Sequence, residues 1–120
     1  MPDATHTVIA ADLAALLDVL PIEPGAVRST RIHKGPGASV VRLSMDAGTV
    51  MKEHIAQSPL LVTVLDGDVA LEVGGEHIEL RSGGVIHIDA RVPHAVEAIA
   101  PSHLLLTLGE RTSTAPDAAG

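Results

Sequence analysis

Val69-Ala-Leu-Glu-Val73, Gly74-Gly75, then Glu76-His-Ile-Glu-Leu80 is the stretch whose reading decides the fold. Apolar and polar residues alternate on both sides of a two-glycine step, the period of a strand with one buried face. Adjacent glycines supply the positive φ angles that a two-residue hairpin turn demands. The alternation predicts Val69, Leu71, Val73, Ile78 and Leu80 on the inner face, with Glu72, Glu76, His77 and Glu79 in water.

Outward from this hairpin the same grammar repeats. Short β-branched runs at 27–33, 39–45, 60–66, 85–88, 95–99 and 103–108 alternate with breakers such as Gly35-Pro36-Gly37, Asp66-Gly67-Asp68 and Ser82-Gly83-Gly84. The run Leu60–Leu65 is apolar on both faces, so it needs cover on both sides. Leu13, Leu16, Leu17 and Leu20 are spaced i, i+3, i+4, i+7 and predict one short helix over 11–20, closed by Pro21. Many short strands and a single helix predict an all-β sandwich or small barrel.

Composition bounds the chemistry. The 120 residues contain 15 acidic and 8 basic side chains, a formal charge of −7, which argues against phosphate backbones and anionic lipid as partners. Zero Cys removes disulfides, thiolate metal sites and cysteine nucleophiles. With no Phe, Trp or Tyr, the core must be aliphatic, and no site can use stacking or a phenolic acid. No stretch reads as a signal peptide or membrane span, so the expected location is cytoplasmic. Residues 1–7 are expected to be a flexible N-terminus, 8–109 one domain, and 110–120 a disordered tail.

Two stretches narrow the reading further. Gly48-Thr-Val-Met-Lys-Glu-His54 leads into Val62-Thr-Val-Leu-Asp-Gly67, and Gly83-Gly-Val-Ile-His-Ile-Asp89 leads into Val92-Pro-His94. Together they resemble the two motifs of the cupins, over roughly 38–108. The resemblance implies a double-stranded β-helix, the cupin or jelly-roll barrel, with one short N-terminal helix. It implies little about activity, because this fold hosts many unrelated ones.

The family's metal-binding pattern places a His, a second His two residues later, a Glu before the strand, and a final His in the second motif. Here those positions hold His54, Ala56, a residue near Leu60, and His94, while Asp89 stands at the second motif's usual proline. The resemblance therefore implies metal ligation by His54 and His94 alone. Gln57 offers an amide oxygen three residues after His54; His87 and His33 are further candidates if they face the interior; His6, His77 and His103 read as surface or tail.

Two functions stay open beside a third reading, a protein whose relevant surface is a sheet face used for dimerisation, with no ligand at all. One is a binding module, with His54, Gln57 and His94 as polar anchors for a small molecule and, weakly held, a divalent transition metal (Zn, Ni, Fe or Mn). The other is a metal-dependent enzyme of dioxygenase or isomerase type. Epimerase chemistry that relies on a tyrosine is excluded by composition. The two-sided apolar runs 60–65 and 104–108 predict a homodimer, with 27–33 as the strand put forward to pair across the interface.

Overall fold

The computed structural model describes residues 5–109. The expected tail and the first four residues of the expected N-terminal arm lie outside them. In chain order the elements are α1 (Leu13–Asp18), β1 (Val27–Gly35), β2 (Ala38–Met45), β3 (Val50–His54), β4 (Leu60–Asp66), β5 (Asp68–Val73), β6 (Glu76–Arg81), β7 (Val85–Ile88), β8 (His94–Ala98) and β9 (Ser102–Gly109). They form two antiparallel sheets, ordered β1-β2-β9-β4-β7 and β3-β8-β5-β6, the all-β barrel that the sequence pattern predicts.

The deciding hairpin forms as read. β5 and β6 pair from Asp68 opposite Arg81 to Val73 opposite Glu76, and Gly74 and Gly75 take φ of +56° and +89°. Val69 and Leu71 are fully buried, and Val73, Ile78 and Leu80 pack against the same core. Gly67, between β4 and β5, is required by space: at φ +133° a Cβ there would lie 2.7 Å from the Ser102 Cα.

The core between the sheets is aliphatic. Leu43 and Met45 from β2, Leu60, Val62 and Val64 from β4, Ile88 from β7, Val96 and Ala98 from β8, and Leu104 from β9 close around the hairpin's inner face. Alternation selects these residues, so Leu65 is only half-buried on the other face of β4.

Two elements differ from the sequence reading. β3 is a strand where no β-branched run announces one; Val-Met-Lys-Glu-His lacks alternation and is held by pairing to β8. The helix is shorter than 11–20. Asp12 caps it, accepting the Ala15 N–H at 2.8 Å, and none of its six residues is buried, while Leu20 beyond it is.

What holds this N-terminal segment is polar. Arg42 on β2 is fully buried on the outer side of the five-stranded sheet. Its Nε donates to the Leu16 carbonyl at 2.7 Å, and its Nη2 donates to the Leu20 carbonyl at 3.2 Å and to Ser44 Oγ at 3.1 Å. Nη1 donates to the carbonyls of Leu43 and Leu104, and the Ser44 hydroxyl also donates to the Leu20 carbonyl. Burial lowers the guanidinium's pKa from its ordinary value, and four backbone carbonyls with the side chains of Ser44 and His103 satisfy its N–H fork, no carboxylate among them.

His103, expected at the surface, belongs to this cluster. Its Nδ1 lies 2.7 Å from Arg42 Nη2 and must accept, because a guanidinium only donates. Burial first, and then the Arg42 charge, push the His103 pKa below its ordinary value, with Asp66 opposing.

Replacing Arg42 with Met removes its hydrogen bonds to the Leu16, Leu20 and Leu104 carbonyls, of which Leu20 keeps the Ser44 hydroxyl, and should destabilise the fold by about 2–4 kcal/mol, measured by urea unfolding. The cluster also predicts a pH dependence. The native state holds His103 neutral, so its contribution is complete above about pH 6.5, the unfolded value. It is lost as pH falls from there through the depressed folded value, because the unfolded chain takes the proton first. His77 acts in the opposite sense, since its pKa is raised by the hydrogen bonds that Glu72 and then Glu79 accept from its ring. Because His77 is common to both, His103→Gln should lose less stability than the wild type between pH 7.5 and 5, read as the difference between their unfolding curves.

Candidate functional site

His54 ends β3 and His94 begins β8, and the two are direct cross-strand partners. Their rings meet edge to face, centroids 4.3 Å apart at 63°. His94 faces inward by simple alternation with Val96 and Ala98, all three buried. His54 needs a second device. The pairing register shifts between Met51 and His54, a bulge that turns both side chains, three residues apart, toward one interior. His94 is 5% exposed, whereas His54 is exposed at the barrel mouth.

The tautomers follow from the backbone. His54 Nδ1 lies 2.8 Å from the Lys52 carbonyl, and His94 Nδ1 lies 2.9 Å from the Val92 carbonyl. A carbonyl can only accept, so each Nδ1 carries the proton and each Nε2 keeps its lone pair. Holding the far nitrogen of a His on a carbonyl is how metal-ligating imidazoles are oriented. The two locking carbonyls carry no sequence signal, since any residue type supplies one; only the shared spacing of two residues before each His marks them.

Both rings line a cavity of ≈ 30 Å³ whose other walls are Leu43, Met51, Leu60, Val62, Val96, Leu104 and Leu106. That volume suits an ion or a few waters and falls far below the roughly 300 Å³ of an organic-ligand pocket. Ala56 packs against the core, and its carbonyl accepts the Arg91 N–H at 2.7 Å, which ties the loop after β3 to the loop before β8. Leu60 is buried in the cavity wall. Neither side chain has a ligand atom. Among the described residues no group of three or more His, Asp or Glu is placed to hold a metal ion.

The remaining candidates lie apart from the pair. Gln57 is exposed on the loop and does not line the cavity. His87 faces outward, since Ile86 and Ile88 take the inner positions of β7, and its Nδ1 lies 3.5 Å from Asp89 Oδ1. His33 on β1 sets its ring against Gly35, where a Cβ would come within 2.6 Å of Nε2. His77 is at the surface as expected, with Nδ1 2.7 Å from Glu72 and Nε2 3.2 Å from Glu79.

The two-motif pattern, the barrel and this facing pair of histidines agree with what the sequence matches. Residues 41–108 match the family model for the cupin domain. The chain belongs to the cupin family. No curated protein matches it. Among solved structures, a cupin 2 conserved barrel domain protein from Leptotrichia buccalis is 30% identical over 80% of this chain, with a TM-score of 0.75; this cupin spans 47% of that longer chain. A conserved protein of unknown function from Streptococcus pyogenes superposes with a TM-score of 0.74 at 20% identity, covering 93% of both chains. KdgF from Halomonas sp. gives a TM-score of 0.68 at 22% identity, over 78% of this chain and 87% of its own.

The two histidines of this cupin should differ in structural cost. His94→Ala removes a buried ring and opens space beside Val96, and should cost about 1–3 kcal/mol. His54→Ala at the exposed mouth should cost within about 0.5 kcal/mol. Urea unfolding of both variants without added metal checks the order; equal costs contradict the burial difference.

Proposed function

We propose that this cupin is a binding module, holding a divalent transition metal between His54 and His94 and offering the ion's open positions to a small, weakly acidic molecule at the barrel mouth. The observation that carries the reading is the pair of backbone locks: Lys52 and Val92 each engage an Nδ1, leaving two Nε2 lone pairs on facing rings.

The donor set fits an ion only in part. Two neutral imidazoles suit Zn, Ni or Cu better than Mn or Mg. They bring no negative charge, and Leu60 at the family's carboxylate position leaves a doubly charged ion uncompensated beside an aliphatic wall. Weak binding and a preference for an anionic co-ligand follow. The narrow interior favours placing that molecule at the mouth, beside exposed His54, rather than inside the barrel. An enzymatic reading has less support, because catalytic zinc sites take three protein ligands and the described residues supply two.

The test is calorimetric titration of Zn(II) into wild type and His94→Ala, near pH 7.5 and again near pH 5.5, below the ordinary imidazole range. The wild type should bind weakly at the higher pH and lose binding at the lower, since a protonated imidazole cannot ligate. His94→Ala should not bind at either pH, and added acetate should tighten the wild-type interaction. Tight, pH-independent binding, or binding that survives the substitution, overturns the reading.

A further inference from the structure

The cavity between His54 and His94 has one further side chain with a donor atom. Besides the two histidines, its walls among the described residues are Leu and Val with a single exception, Met51. Met51 comes from the same strand as His54, and the bulge between them turns both inward. It pairs opposite Val96, so His94, two residues along β8, is its diagonal neighbour, a separation that long side chains span.

A methionine in a core is ordinarily a flexible gap-filler. Met45 is one: it is fully buried in the core cluster and does not line the cavity. Met51 differs. It is only half-buried, and it borders a space it does not fill, beside two imidazoles whose Nε2 atoms keep their lone pairs.

The donor set selects the ion. A thioether sulfur is soft, polarisable and uncharged. Zinc draws on thiolate, imidazole and carboxylate, and magnesium, calcium and manganese on oxygen. Thioether sulfur selects Cu(I), an ion that accepts few ligands. Charge points the same way. No Asp or Glu lines the cavity, so all three donors are neutral. A divalent ion would leave its whole charge uncompensated against the aliphatic wall, and a cuprous ion leaves half of that.

We propose that this cavity is a cuprous site, in which the Met51 sulfur joins the Nε2 atoms of His54 and His94 as third ligand and Cu(I) is held more tightly than any divalent ion. The inference rests on the reading that the two histidines share a metal. It adds the third ligand and names the ion that the set prefers.

The test titrates Cu(I) anaerobically against bicinchoninate as competing chelator, and Zn(II) in parallel, at about pH 7.5 where free imidazole is neutral. The wild type should bind Cu(I) at least about a hundredfold more tightly than Zn(II). Met51→Leu, close in volume, should cut that preference at least about tenfold, with circular dichroism unchanged. Met45→Leu, which removes a sulfur away from the cavity, should keep it. X-ray absorption at the copper edge should show a sulfur neighbour in the wild type that Met51→Leu loses. A wild type holding Cu(I) no more tightly than Zn(II), a preference that survives Met51→Leu or falls equally in Met45→Leu, or a copper shell without sulfur, overturns the proposal. The reading beneath it stands in those cases if Zn(II) still binds weakly and His94→Ala abolishes that binding. Binding of neither ion overturns both.

Discussion

The segment from Leu16 to Leu20 is fastened to the barrel by the guanidinium of one buried arginine. Arg42 takes the carbonyls of Leu16 and Leu20 from the N-terminal segment, its neighbour's carbonyl on β2, and the Leu104 carbonyl on β9. A six-residue helix with no buried side chain cannot hold itself in water. Its end is stabilised by a cation that meets the carbonyls of Leu16 and Leu20. The arrangement works without a counter-ion because five N–H groups find acceptors, and it is conditional because one of those acceptors, His103, must stay neutral.

The second constraint is the absence of aromatic residues. An interior of Leu, Val, Ile, Ala and Met has no large flat side chain to span the barrel, so many small branched ones fill it nearly completely. What is left beside the two histidines is space for an ion or water. The same economy pushes any organic ligand outward to the mouth and leaves β4 apolar on its far side as well. The described residues therefore offer rims and faces rather than a deep pocket beside the two histidines.

The histidine pair shows how the fold makes a site from residues that are individually ordinary. Neither ring is held by a carboxylate. Each is held by the carbonyl two residues before it, a contact available only once the strand end curls back on itself. The bulge in β3 matters as much as the residue itself: without it, Met51 and His54 would lie on opposite faces. The lost ligands are lost by chemistry, since Ala56 and Leu60 occupy their places as packing groups.

From the sequence alone came the alternation in 69–80 with its double glycine, the strand-and-breaker rhythm after residue 27, and the family's two motifs around His54 and His94. These are legible because a period of two and a positive-φ turn are local properties written in consecutive residues. Tertiary structure decided the rest. β3 has no strand-like pattern and exists because β8 pairs with it; His103 reads as a surface residue until Arg42 reaches it from another strand. His87 could have faced either way until the parity of Ile86 and Ile88 turned it outward. β3 and His103 depend on partners distant in the chain, which leave no trace in the residues beside them.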